Sequence, residues 1–124
     1  MVTTTDVAQL SRECNAWRET LRSYRDEFGQ LKHRLMDVAA RQTTKEDLLE
    51  VEHLDNQLHI QLINIHDLKH SIKSHTRRID SEMSRGQIND DTTTHHENLY
   101  DEYQQLEHTL KEIKQEYQDF VRAR

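Results

Sequence analysis

Apolar and aromatic residues recur at alternating steps of three and four along most of this chain, which is the spacing of one face of a helix. The first of these seams is unbroken and consists of Val7, Leu10, Cys14, Trp17, Leu21, Tyr24, Phe28, Leu31, Leu35 and Val38. The second consists of Val51, Leu54, Leu58, Leu62, Ile65, Leu68, Ile72, Ile79 and Met83. The third consists of His96, Leu99, Tyr103, Leu106, Leu110, Ile113, Tyr117 and Phe120. Three seams of this kind predict three amphipathic helices with coiled-coil-like packing.

Turn-forming residues are scarce, since the 124 residues include no proline and only two glycines. Sheets and loop-rich folds need more of these residues, so the composition favours an all-α fold. We predict helices at about 6–42, 45–85 and 95–122. Short connections between long helices favour an antiparallel up-down-up three-helix bundle, formed as a single domain over residues 1–124.

The ends of the predicted helices carry recognisable signals. A hydroxyl followed three residues later by an acidic residue can cap a helix start, and a glycine can end a helix in the left-handed conformation. The candidates are Thr43 with Glu46 or Thr44 with Asp47 for the second helix, Gly86 for its end, and Thr94 with Glu97 for the third helix.

The predicted third helix is shorter than the second by roughly 18 Å, at ~1.5 Å per residue. The tip of the hairpin between the first two helices is therefore expected to lack a third helix and to expose apolar side chains, which mark interaction surfaces. The predicted tip residues are Leu35, Met36, Val38, Leu48, Leu49, Val51 and Leu54.

The second helix also carries a second stripe, away from its seam, which makes its middle apolar on more than one side. A helix of this kind is usually covered on most sides. This stripe, with Ile60 and Ile63 as predicted interface residues, consists of Leu49, Asn56, Ile60, Ile63, Asp67 and Ser74. We expect a homo-oligomer, most simply a two-fold dimer, with another helical protein as the other possible partner.

Histidines on the second helix are the candidate ligands. Asp55, His59, His66 and His70 share one flank, and both the Asp55–His59 and His66–His70 spacings of i, i+4 suit metal chelation. A metal site would need further ligands, for which His70 or His75 is expected to meet the start of the third helix.

A second interpretation is that the flank histidines of the second helix only border the core and form hydrogen bonds with neighbouring residues. In a dimer they would make association depend on pH between 5 and 8, where histidine gains charge.

Charge and motif content narrow the function classes. The formal net charge is −6, which argues against nucleic acid as a partner, and the basic strip of Lys69, Lys73 and Arg77 is expected to pair with acidic residues of the third helix instead. The expected pairing residues are Glu97, Asp101 and Glu102.

A single cysteine, Cys14, gives no sign of an oxidising compartment, and we expect a cytoplasmic protein with no membrane segment. No phosphate-binding loop or nucleophile motif is present, so neither an enzyme nor a cofactor is predicted. The predicted function is a structural or protein-interaction module that self-associates. The alternative is a metal- or haem-binding bundle that uses the histidines of the second helix.

Overall fold

Three helices account for nearly all of the part of the chain that the computed structural model describes, which is residues 4–123, with side chains from residue 7. Helix α1 spans Thr4–Ala39, α2 spans Lys45–Ser84 and α3 spans Asp90–Arg122, and residues 4–123 contain no strand. The helices pack against one another around one hydrophobic core. The predicted all-α three-helix bundle is confirmed. No helix within residues 4–123 has the length and apolar character needed to cross a bilayer.

Helix α2 begins and ends as its local signals predict. The side chain of Thr44 accepts a hydrogen bond from the backbone N–H of Asp47 at 3.1 Å, so the second of the two proposed caps is the one that forms. At the other end Gly86 has a φ of 87°, the left-handed conformation that glycine adopts without steric cost. Its N–H donates to the carbonyl of Met83 at 2.9 Å and so satisfies a free carbonyl at the helix end.

Helix α3 begins at Asp90, five residues before the predicted start at 95, which corrects the prediction. Asp90 and Asp91 lie in its first turn, where carboxylates interact favourably with the helix dipole. The N–H of Asn89 donates to Oε1 of Glu82 at 2.8 Å, so a side chain from α2 supplies the cap. The predicted Thr94 cap does not form because Thr94 already lies inside the helix.

Most seam positions of α1 and α3 form the core as predicted and a few are only partly buried at its edge, whereas the seam of α2 needs a correction. Its buried face includes three polar residues that continue the alternating steps of three and four: Gln61, His75 and Glu82. Leu62 and Met83, which we had assigned to the seam, are only partly buried and pack against the edge of the core. The inward face of α2 is therefore more polar than the apolar pattern alone indicates.

The hairpin tip is partly covered, which corrects the sequence prediction for three of its residues. Leu35, Val38 and Leu54 are 1%, 9% and 0% exposed, so they belong to the core rather than to an open surface. Because α3 has 33 residues against 40 in α2, the shortfall is about 10 Å instead of roughly 18 Å. Near its end, Val121 packs against the core. Among the predicted tip residues, Val51 is half-buried, and Met36, Leu48 and Leu49 remain exposed.

Candidate functional site

A buried polar cluster lies where the three helices meet near the start of α3. Cys14 from α1, His75 from α2 and His96 from α3 are 0%, 2% and 4% exposed. Each occupies a seam position, so the same spacing that places leucines and isoleucines in the core carries these polar groups inward. The bundle thus brings one thiol and two imidazoles together, with one group from each helix.

The three side chains are close enough to share a ligand. Nε2 of His75 lies 3.0 Å from Nδ1 of His96, and Sγ of Cys14 lies 3.8 Å from the same nitrogen. One atom from each of the three residues lies within 4.8 Å of the other two. Sulfur and imidazole nitrogen are donors that transition-metal ions accept.

Neighbouring residues orient the ring of His96. Its Nε2 lies 3.2 Å from Oε2 of Glu13, and the ring centroid of Trp17 lies 4.8 Å away on one side. We assign the ring proton to Nε2, because a carboxylate at that distance accepts a hydrogen bond from it. The lone pair on Nδ1 of His96 then points toward His75 and Cys14.

Burial sets the protonation of the cluster. Desolvation, with smaller effects from His96, His95 and Arg78, lowers the pKa of His75 to about 4. Desolvation also raises the pKa of the Cys14 thiol, more than a hydrogen bond with Thr76 lowers it. A buried thiol with a raised pKa is a poor nucleophile, because the thiolate is the reactive form.

The four residues predicted as metal ligands on the flank of α2 do not take part in the buried cluster. Asp55 forms an ion pair with Lys32 of α1 at 2.7 Å. His59, His66 and His70 are exposed. Residues 7–123 contain two groups of three metal-ligating side chains, and neither includes any of these four residues.

The second group of possible ligands lies at the surface near the other end of the bundle. It consists of Glu50, His53 and Glu116, and Nε2 of His53 lies 3.0 Å from Oε1 of Glu116. His53 and Glu116 are about half exposed, so the pair is a solvated contact between α2 and α3. Exposed carboxylates of this kind are common and do not by themselves indicate a metal.

The side of α2 that faces away from the core carries an exposed row of residues, here called the outer stripe. Ile60 is 39% exposed, Ile63 48% and Leu49 54%. Exposed polar residues continue the same alternating steps of four and three in both directions. The outer stripe consists of Leu49, His53, Asn56, Ile60, Ile63, Asp67, His70 and Ser74.

The basic strip on α2 is not paired as predicted. Among the described residues, Lys69, Lys73 and Arg77 form no ion pair with Glu97, Asp101 or Glu102 of α3. Desolvation lowers the pKa of Lys69, and the arginines of α1 lower it further. Lys69 therefore lies near like charges on α1.

The sequence does contain a signal for the buried cluster. The predicted seam of α2 omitted a residue between Ile72 and Ile79, and the regular spacing places His75 there. Cys14 and His96 were placed on their seams. The expectation that His70 or His75 meets the start of the third helix is confirmed for His75.

The fold and these features define an all-α three-helix bundle with a buried cysteine–histidine cluster and an exposed stripe on its second helix. No protein-family model, curated protein or solved structure matches this chain.

Proposed function

We propose that this protein is a non-enzymatic interaction module that pairs with a second copy of itself through the outer stripe. The observation that carries the proposal is the exposure of Ile60 and Ile63 in the middle of α2, on the side opposite its buried seam. Isoleucine at heptad spacing favours helix pairing, because each side chain packs between residues of the facing helix. The buried seam of α2 already contacts α1 and α3, so the outer stripe is available for another helix.

The outer stripe is complementary to itself when a second copy runs antiparallel. The spacing between its successive residues alternates between four and three and is the same from either end. A two-fold axis through the centre of the stripe therefore places it against the outer stripe of the second copy. In that register Ile60 faces the partner's Ile63. Asn56 faces the partner's Asp67, where an amide can donate to a carboxylate.

Flanking charges favour the same antiparallel register. Glu52 and Lys73 lie beside the stripe on the same edge and are both exposed. In the antiparallel pair Glu52 comes opposite the partner's Lys73, and the symmetry forms this attractive contact twice. A parallel pair in register would instead set Asp67 against its own copy, which is repulsive. Charge complementarity therefore supports a second copy as the occupant of this surface.

Removing the apolar contact tests the surface. Ile60→Gln/Ile63→Gln is expected to weaken dimerisation by at least about tenfold, since partial burial of an isoleucine contributes on the order of 1 kcal/mol. Sedimentation equilibrium over a concentration series measures the association. Leu48→Gln is the matched control, because Leu48 is 45% exposed on the same helix but lies off the stripe. A wild-type protein that stays monomeric at all concentrations contradicts self-association and leaves another helical protein as the partner to seek.

Charge reversal tests the register. Lys73→Glu is expected to weaken the dimer several-fold, because two attractive contacts become repulsive and exposed pairs each contribute up to ~1 kcal/mol. Adding Glu52→Lys to the same chain restores both contacts with the signs exchanged. Recovery of the dimer in the double variant supports the antiparallel register, and no recovery contradicts it.

A further inference from the structure

We propose that Cys14, His75 and His96 together bind one divalent transition-metal ion, Zn²⁺. This ion would link the three helices near the start of α3. These three residues lie on the opposite side of α2 from the outer stripe, and they do not include the exposed histidines of α2.

The observed separations are close to those that a single ion requires. Zinc binds sulfur at ~2.3 Å and imidazole nitrogen at ~2.0–2.1 Å, so tetrahedral angles put S and N about 3.6 Å apart and two N atoms about 3.4 Å apart. Here Sγ of Cys14 lies 3.8 Å from Nδ1 of His96, and the two imidazole nitrogens lie 3.0 Å apart. Shifts of a few tenths of an ångström would bring these two pairs of atoms to ligand separations, and the third pair, from Cys14 and His75, lies within 4.8 Å.

Glu13 provides the outer contact that metal-bound histidines usually have. A histidine that binds a metal through one ring nitrogen commonly donates the proton on the other to a carboxylate. His96 has this arrangement, with Nδ1 in the cluster and Nε2 3.2 Å from Oε2 of Glu13. The Glu13 carboxylate and a Cys14 thiolate would also offset the charge of a divalent ion.

Packing alone does not account for His75. Its Nδ1 is buried without a hydrogen-bond partner, and a buried polar atom without a partner costs about 1–3 kcal/mol. Leucine at this seam position would fill the same space without that cost. An ion bound at the other ring nitrogen, Nε2, would offset the cost of burying the ring, although Nδ1 itself would keep no hydrogen-bond partner.

The donor set selects the class of ion. One thiolate with two imidazoles suits zinc and its neighbours in the first transition row, whereas magnesium and calcium prefer oxygen ligands. Binding replaces the S–H bond of Cys14 with an S–metal bond and releases one proton to solvent, with no change of oxidation state. The proton on Nε2 of His75 moves to Nδ1, which leaves the Nε2 lone pair for the ion.

His95 is our candidate for the fourth ligand of the ion. Its ring is exposed and its centroid lies 5.0 Å from that of His75, so rotation of this side chain would bring it to the ion. Four surface cavities of about 390 to 690 Å³ are lined entirely by other residues. The cluster therefore has the character of a structural site rather than a catalytic one, which would keep an open position for substrate.

Cobalt is the first probe of the site, added to full-length protein freed of metal by a chelator. Binding is expected at one ion per chain, with the near-ultraviolet absorption of a thiolate–Co²⁺ bond and release of one proton. Trp17 is the only tryptophan and its ring centroid lies 4.8 Å from that of His96, so Co²⁺ should also quench its fluorescence. Zn²⁺ should then displace Co²⁺ and abolish the thiolate band. Absence of stoichiometric binding, or binding of Cu⁺ but not Zn²⁺, overturns the proposal.

Two variants locate the ion. Cys14→Ser is expected to lower Zn²⁺ affinity by at least about 100-fold and to remove the thiolate band, while Glu13→Gln lowers affinity by about 10-fold as an outer contact. His66→Ala/His70→Ala is the matched control, since it removes an exposed histidine pair with chelating spacing and should leave binding unchanged. Loss of binding in this control with retention in Cys14→Ser would overturn the buried site in favour of the flank of α2.

Loss of Zn²⁺ binding in Cys14→Ser must be distinguished from loss of the fold. Circular dichroism of each variant shows whether the helices persist. In the wild-type protein, Zn²⁺ should raise the melting temperature in a concentration-dependent way, because a ligand that binds only the folded chain stabilises it. Glu13→Gln lies at the surface side of the cluster and should show a smaller rise at the same Zn²⁺ concentration. An equal rise in both proteins contradicts the site.

Discussion

Nε2 of His75 lies 3.0 Å from Nδ1 of His96 in the interior of the bundle, at seam positions where apolar residues would pack without polar cost. Because a buried pair can be replaced by apolar groups of similar shape with little loss, His75→Leu/His96→Leu should be at least as stable as the metal-free protein. Urea unfolding in the presence of a chelator measures this. A loss of more than about 2 kcal/mol would show that the imidazole contact itself stabilises the fold.

Glu82 is expected to be the most sensitive buried polar residue. Its carboxylate accepts hydrogen bonds from the Asn89 N–H, from Thr92 and from Arg78 at 2.7–2.9 Å. Glu82→Gln removes the charge and sets an amide N–H against these donors, so we expect a loss of about 2 kcal/mol in the free energy of unfolding. The control Glu97→Gln, at an exposed position on α3, should change stability by less than about 0.5 kcal/mol. Equal effects in the two variants would contradict the role of Glu82 as a cap.

Protonation of Glu82 at low pH should lower the free energy of unfolding. Desolvation acts to raise the pKa of Glu82, but hydrogen bonds from Asn89, Thr92 and Arg78 together outweigh it and lower the pKa to about 2 from 4.5. The folded chain then binds fewer protons than the unfolded chain, so this stabilisation is full above pH 4.5 and is lost as the pH falls toward 2. The difference in unfolding free energy between wild type and Glu82→Gln should shrink over that range. A difference that stays constant would disagree with the lowered pKa.

Dimerisation through the outer stripe should weaken on acidification. In the antiparallel register His53 faces the partner's His70, and His59 faces the partner's His66. Histidine gains charge between pH 8 and 5, so facing imidazoles come to repel one another. Glu52, Lys73 and Asp67 are the other charged groups on this face, and Glu116 of α3 lies beside His53.

Sedimentation equilibrium at several pH values measures this weakening. His59→Gln/His66→Gln should reduce the pH dependence, because it removes one of the two kinds of facing pair. Association that is unchanged from pH 8 to 5 in the wild type would argue against the register.

Alanine substitutions at the two glycines should change the stability of the protein in opposite directions. Gly29 lies inside α1 with nothing near the position of an added Cβ, so Gly29→Ala should stabilise the protein by up to about 1 kcal/mol. Gly86 has a φ of 87°, where an L side chain is strained, so Gly86→Ala should destabilise it by about 1 kcal/mol. Thermal unfolding of both variants measures the two effects. A change of the same sign in both would contradict the assigned backbone conformations.

Most of the fold was predictable because its signals are local. The spacing of apolar residues identified three helices and their inward faces, and Thr44 and Gly86 marked the ends of α2. The start of α3 was not predictable in this way, because its cap comes from Glu82 on another helix. That error led to an overestimate of how much of the hairpin tip is open.

The candidate sites were less predictable than the fold. Ile60 and Ile63 were singled out from the sequence and are exposed, whereas Leu35, Val38 and Leu54 are buried. His59, His66 and His70 have suitable spacing along one helix. Spacing on one helix does not reveal which side chains of other helices lie opposite, so the cluster at His75 was only partly anticipated.

The sequence by itself determined three helices and the side that each turns inward, because helical periodicity is a property of neighbouring residues. Only the tertiary structure decided which inward positions share a layer. The short connection of residues 85–89 and the contact between Glu82 and Asn89 set where α3 lies along α2. That axial position brings His96 to His75 and Cys14, since a different start of α3 would move its side chains by about 1.5 Å for every residue.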